Sequence, residues 1–339
     1  MSREKLIGKN LEELKDVALS LGLPSYTAKQ LADWMYVRKV KRLEDMTNIS
    51  KAGREKLLQN YDLGLVEPAE VIESSDGTKK YIFDMNGGAV EAVMIPEDAR
   101  KTLCISSQVG CKMGCKFCMT GRGGFHGQLD VSQILSQFLG IPESHELTNV
   151  VFMGMGEPLD NYHTVRKSIE IMTSQWGFAW SPKRITLSTI GIIPSLKNYL
   201  DECKSHLAVS LHNPFPEERY QMMPIQKVYD IIDVVNLVRQ YDFSGQRRVS
   251  FEYTMFDGWN DDQRHAAALA RLLKGIECRV NLIRFHKIPD FPYVCSSSAR
   301  MEAFREYMER QGITCTIRAS RGEDILAACG MLAGKKNQV

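Results

Sequence analysis

CKMGCKFCMTG, residues Cys111–Gly121, sets three cysteines four and then three residues apart. A disulfide uses two cysteines, and a closed structural zinc site uses four ligands. Three thiolates suit a metal centre that keeps one coordination position open. Thiolate is also the preferred ligand of iron–sulfur clusters, and a cubane normally takes four. Two other readings of the loop stand beside a cluster: a zinc knuckle completed by Cys104 or His126, and a redox pair formed by Cys115 and Cys118. Zinc sites usually bring a second spaced pair, and the sequence has none.

Outward from this loop, short apolar runs alternate with amphipathic segments. Strands are predicted for TLCIS (102–106), NVVFMGM (149–155), RITLST (184–189), HLAVSLH (206–212), RVSFEYTMF (248–256), RVNLIRF (279–285) and TCTIRAS (314–320). Helices are predicted between them, as in TVRKSIEIMTSQ, YDIIDVVNLVRQY and DDQRHAAALARLLKG. Strand–helix alternation implies parallel strands with right-handed crossovers, hence an α/β fold. About six repeats fall short of the eight in a full barrel, so an incomplete (β/α)6 barrel is expected. The cysteine loop follows the first of these strands, at the end where parallel α/β folds build their sites.

Residues 1 to about 70 read differently. NLEELKDVALSLGL repeats apolar residues at helical steps and stops at Gly22; YTAKQLADWMYVRKVKRLEDM continues as helix. KKYIFDM, Asn86-Gly87-Gly88 and AVEAVMIP then form a hairpin signal. The expected division is a small helical accessory domain with its linking hairpin over 1–90, and a core over 91–339.

The formal net charge is only +2, so binding to a polyanion would rest on local patches. Nine cysteines is an odd number, and MSREKLIGKNLEELKD lacks an apolar signal-peptide core. A reducing cytoplasmic setting is expected, where clustered thiols bind metal or do chemistry. No run reaches the length of a membrane span.

C-x-x-x-C-x-x-C with an aromatic before its last cysteine resembles the radical S-adenosylmethionine (SAM) superfamily. IPEDARKTLCISSQVGC, GMGEPL, LSTIGIIP, VSLHNP and RGEDILAACGMLAG, in that order, narrow the resemblance to the RlmN/Cfr family of radical SAM RNA methyltransferases. It covers nearly the whole chain. The resemblance implies a radical SAM barrel with a 4Fe-4S cluster on Cys111, Cys115 and Cys118, SAM on the open iron, and two SAM molecules per turnover. It implies that Cys329 accepts a methyl group and carries it to adenine. Without it, Cys329 reads as a packed thiol. Glu91 matches the proton acceptor, although alone it reads as a solvent-facing strand residue. Cys104 matches the resolving thiol, which implies a transient Cys104–Cys329 disulfide.

Gly154 and Gly156 would let a ligand approach the backbone, and Glu157 could accept a hydrogen bond from an ammonium. By resemblance, SAM contacts fall on Gly156, Glu157, Ser188, Ser210, Leu211 and His212. His286 stands where the family usually has asparagine.

The implied partners are 23S rRNA, some tRNAs and an electron donor such as flavodoxin, with the enzyme a monomer in the cytoplasm. VRKVKR (37–42) and Arg100, Lys101, Lys112, Lys116 and Arg122 fit phosphate contacts. The target base must leave its stack to meet Cys329, which favours loops. Two alternatives remain. One is methylation at carbon 8, against which the proline of GEPL speaks; the other is a non-catalytic, zinc-dependent RNA-binding protein.

Overall fold

A computed structural model describes residues 3–245 and 247–333. Ten strands form one sheet: β1 (Glu70–Glu73), β2 (Lys79–Met85), β3 (Gly88–Glu97), β4 (Arg100–Cys104), β5 (Asn149–Phe152), β6 (Ile185–Thr189), β7 (His206–Ser210), β8 (Val249–Met255), β9 (Cys278–Arg284) and β10 (Thr314–Ile317). Spatial order follows chain order from one edge to the other. β1 to β4 form an antiparallel meander, whereas β4 to β10 are parallel. All seven parallel strands coincide with the apolar runs, and six crossovers join them. The expected α/β class and incomplete barrel are therefore present.

The register explains the lumen. Thr186 pairs with His206, Ser250 with Arg279, and Asn281 with Thr316, so polar side chains share one face. The alternate residues Leu187, Leu207, Val209, Phe251, Val280 and Leu282 are buried in the main core. A strand that alternates in this way puts its two sets of side chains on opposite faces. Residues of β3 to β10 line a single cavity of about 640 Å³.

The meander corrects the expected division at residue 90. That boundary falls inside β3, which pairs with β2 on one side and β4 on the other. Ladder hydrogen bonds thus run without a break from the hairpin into the barrel. The same packing overturns the solvent-facing reading of Glu91. Its strand is covered on both faces, and Glu91 is only 2% exposed.

The first sixty residues are helical with one correction. Helices span Leu11–Ser20, Thr27–Ala32 and Lys51–Asn60. The second passes into a π turn at Asp33–Val37 and ends, because Lys39 adopts a left-handed backbone with φ 54°. VRKVKR is therefore not a helix face. Its cations also have intramolecular partners: Arg38 with Asp33, Lys41 with Glu67, and Arg42 near Glu44. Lys39 donates to the Ser144 carbonyl at 2.5 Å and lies over the Phe138 ring. Burial lowers its pKa to about 8.

These helices dock on the barrel through the helix Val131–Leu139, which is closed at its N-terminus by a reciprocal Asp130–Gln133 capping box. Phe138 of that helix stacks on Phe178, and Tyr36 of the accessory region meets Phe178 edge-on. Lys167 bonds both carboxylate oxygens of Glu13 at 2.6 Å, joining the two regions once more.

Candidate active site

Cys111, Cys115 and Cys118 all line the cavity at the C-terminal ends of the parallel strands. The loop is held from outside by the Lys116 N–H on the Met222 carbonyl, and internally by the Cys118 N–H on the Cys115 carbonyl. Gly121 packs so close that a Cβ there would stand 3.0 Å from the Cys115 backbone. Burial raises the Cys111 pKa to about 12 and raises Cys115 as well, with the neighbouring thiols adding to both. Thiolates in such a corner need cations to hold them.

Among the described residues, no three His, Cys, Asp or Glu side chains are grouped to hold a metal ion. A cubane spreads its thiolate ligands over separate iron corners. The three-thiol donor set, all facing one cavity, fits such a cluster. The zinc alternatives find no support in the neighbours. His126 Nε2 contacts the Gly123 carbonyl at 3.1 Å, and Cys104 lies at the end of β4, influenced by Cys329.

Beneath the loop lies a residue that sequence reasoning missed. Arg219 is fully buried and donates to the carbonyls of Leu211 (3.0 Å), Ser210 (3.0 Å) and Ile190 (3.3 Å) and to Gln226 Oε1 (2.7 Å). Burial lowers its pKa to about 10, opposed by Cys115 and Asp230. It stitches the ends of β6 and β7 to the segment behind the cysteines.

Gly156 has φ 98°, and a Cβ there would stand 2.6 Å from the Gln108 Cβ. Only glycine suits that backbone and that close approach. Gln108 in turn accepts the Glu157 N–H at 2.8 Å. The Glu157 carboxylate lines the cavity but is held by its own chain. Oε1 accepts from Thr189 Oγ1 (2.6 Å) and the Leu159 N–H (3.0 Å), and Oε2 accepts from the Ile190 N–H (2.9 Å).

Burial outweighs these donors and raises the Glu157 pKa from 4.5 to about 7. Between those values the folded protein holds a proton that the unfolded chain has released. Stability is therefore fully present below the unfolded pKa, falls as pH rises through the window, and is flat above it. The loss is about 3 kcal/mol. Glu157→Gln should remove this slope, which chemical denaturation below and above the window will show.

Ser188 and Ser210 line the cavity. Leu211 does not: its side chain is wholly buried in the core, and only its backbone serves the site, through the Arg219 bond. His212 has φ 57°, and its Nδ1 accepts the Thr254 N–H at 3.0 Å. The remaining ring proton is therefore on Nε2. Asn260 fixes the turn by donating to the carbonyls of His212 (2.7 Å) and Thr254 (2.8 Å). Burial and Arg219 lower the His212 pKa to about 3. His286 reaches the cavity too, with Nδ1 3.3 Å from Glu323 Oε1.

The C-terminal segment crosses the cavity mouth. Met119 donates its N–H to the Gly330 carbonyl at 2.8 Å, and Thr120 Oγ1 donates to the Leu332 carbonyl at 2.6 Å. Cys329 thus stands beside the cysteine loop, and its exposed surface opens into the cavity. The walls raise its pKa, and Arg318 opposes them. Cys104 lines the same cavity; burial and Cys329 push its pKa up to about 12, again opposed by Arg318. Both thiols are free. Glu91 is not among the lining residues; it is buried, accepting the Ala333 N–H at 3.2 Å with Lys80 Nζ 3.7 Å away.

Glu252 and Arg318 also went unnoticed in the sequence. Glu252 accepts from Ser250 (2.7 Å) and Asn281 (2.8 Å) inside the lumen. The signal was available: Ser250, Glu252 and Thr254 alternate with apolar residues along β8. Of the basic residues near the loop, Lys112 pairs with Asp160, Lys101 with Glu146, and Arg122 donates to the Pro289 carbonyl.

Comparison with known proteins agrees with this architecture. Residues 105–270 match the model of the radical SAM superfamily, and residues 5–62 match the N-terminal domain of ribosomal RNA large subunit methyltransferases. A probable dual-specificity RNA methyltransferase RlmN from Porphyromonas gingivalis is 59% identical over 98% of this chain and 97% of its own. The dual-specificity RNA methyltransferase RlmN of Syntrophus aciditrophicus is 42% identical over 99% and 98%. The crystal structure of a radical SAM methyltransferase from Sphaerobacter thermophilus superposes with a TM-score of 0.93, at 35% identity, covering 98% of this chain and 100% of that one. With its three-cysteine loop, its barrel and these full-length relatives, the chain belongs to the RlmN family of radical SAM RNA methyltransferases.

Proposed function

We propose that this enzyme methylates carbon 2 of an adenosine in 23S rRNA at the peptidyl transferase centre, and of the adenosine 3′ of the anticodon in some tRNAs. The observation that carries the reading is the convergence of Cys104, Cys329 and the three-cysteine loop on one cavity. Carbon 2 of adenine is electrophilic, so simple displacement on a sulfonium methyl cannot serve there.

A cluster held by Cys111, Cys115 and Cys118, with two SAM molecules per turnover, would supply the methyl group and the one-electron chemistry that activates its carbon–hydrogen bond. Gly156, Glu157, Ser188, the backbone of Ser210 to His212, and His286 would hold the cofactor. Cys329 takes the methyl as a thiolate, and Arg318 is the cation that favours that form. Once the carbon joins the base, RNA and enzyme are linked through the Cys329 sulfur. Glu91 accepts the ring proton, and the unpaired electron that the addition leaves on the ring would return to the cluster, so that the base is aromatic again. The Cys104 thiolate then forms an S–S bond with Cys329 as the sulfur–carbon bond breaks. The freed electron pair passes to the purine–methylene unit, which gains a proton and becomes the methyl product. The resulting disulfide must be reduced before another round, which suits a cytoplasmic enzyme.

No helix among the described residues is long and apolar enough to cross a membrane. The enzyme acts as a monomer and draws electrons from a protein such as flavodoxin. The test is product identity: RNA modified by the reconstituted enzyme is digested to nucleosides and separated. 2-Methyladenosine is expected; 8-methyladenosine or unmodified RNA overturns the proposal.

A further inference from the structure

The segment carrying Cys329 is fastened at a point that the chemistry above does not use. After β10 the chain leaves one edge of the sheet and meets the turn between β1 and β2 at the opposite edge. There the Asp324 carboxylate accepts from Ser74 Oγ (2.5 Å), the Ser75 N–H (3.1 Å) and Ser75 Oγ (3.2 Å). In return, Asp76 Oδ2 accepts the Gly322 N–H at 3.0 Å while its Oδ1 accepts the Thr78 N–H at 2.9 Å. Each partner supplies a carboxylate to the other. The two contacts join residues 246 to 250 positions apart in the chain.

The fit at this clasp is close. Gly322 has φ 63°, and a Cβ there would stand 2.9 Å from Thr78 Cγ2 and 2.9 Å from the Ala327 Cβ. The Ala327 N–H donates to the Gly322 carbonyl at 2.8 Å, which ties the clasp to the turn two residues before Cys329. On the far side of Cys329, the bonds to Met119 and Thr120 hold Gly330 and Leu332. Cys329 is therefore suspended between two anchors. One belongs to the cysteine loop and the other to the far edge of the sheet.

We propose that Asp76 and Asp324 are positioning residues for methyl transfer: their clasp holds the 318–333 segment across the open side of the barrel, so that Cys329 meets both Cys104 and the cysteine loop in one cavity. The inference rests on Cys329 being the methyl carrier. Placement matters because a thiol that must meet a cofactor, a base and a second thiol in turn loses rate steeply with small displacements. Both carboxyls sit below the usual carboxylate range, through the hydroxyl and amide donors just named. The clasp is thus present above that range and weakens as pH falls through it.

The test compares wild type with Asp324→Ala, with Ser75→Ala, and with an Asp76→Asn, Asp324→Asn double variant, all cluster-loaded. Hydrogen–deuterium exchange should rise about 10-fold or more over 319–333 and stay unchanged in β5 to β8. The kcat for RNA methylation should fall by roughly 10- to 100-fold, with KM for RNA and SAM unchanged. Ser75→Ala, which keeps the Ser75 amide and the Ser74 hydroxyl as donors, should fall between. Unchanged exchange over 319–333 would overturn the clasp. Faster exchange with unaltered kcat would overturn its positioning role. Should Cys329→Ala still methylate RNA, the carrier assignment fails instead.

Discussion

Replacing Cys329 with alanine is expected to abolish RNA methylation, by at least roughly 10³-fold, while iron and sulfide content stay as in wild type. The two halves of this expectation have separate causes. On the proposed mechanism activity disappears because the methyl group travels on the sulfur, and Cys104, at the end of β4, is assigned the separate task of releasing the product. The cysteine loop survives because the segment grips it through backbone carbonyls of Gly330 and Leu332, which alanine at 329 leaves intact. Methyl transfer assays and iron analysis on anaerobically purified protein check both. Methylation retained by the variant would end the carrier role.

Arg219→Met should have the largest effect on stability, about 3–5 kcal/mol, read as a lowered denaturant midpoint. All four hydrogen bonds of the guanidinium go to neutral oxygens. Methionine fills similar space but leaves three carbonyls and Gln226 Oε1 without this donor. Burying an unsatisfied polar group is among the costliest changes a core can suffer. Iron loading should drop as well, since Ile190, Ser210 and Leu211 shape the floor beneath Cys115. Arg219→Lys should not restore it, because one ammonium cannot span the planar fork. A midpoint equal to wild type would show that the network carries no net stability.

Much of this was legible in the chain because strands buried on one face and lining a lumen on the other leave a strong pattern. HLAVSLH and RVSFEYTMF announce themselves by β-branched and apolar content, and CKMGCKFCMTG by spacing alone. What escaped depends on contacts distant in sequence. Arg219 lies in PEERYQM, a charged helix that reads as solvated; its burial follows from carbonyls eight to twenty-nine residues earlier. Glu91 looked exposed because nothing local reveals that the C-terminal segment covers it. The helix through VRKVKR failed as well. Good helix formers continue, yet Lys39 turns left-handed and reaches Ser144 and Phe138 instead.

The unbroken ladder from β1 through β4 limits how the molecule can be dissected. A fragment that starts at residue 91 would cut into β3 and discard the partner that satisfies its outer amides and carbonyls. Such a frayed, apolar border is a template for intermolecular pairing. A minimal catalytic fragment must therefore begin ahead of Glu70, with the whole meander retained.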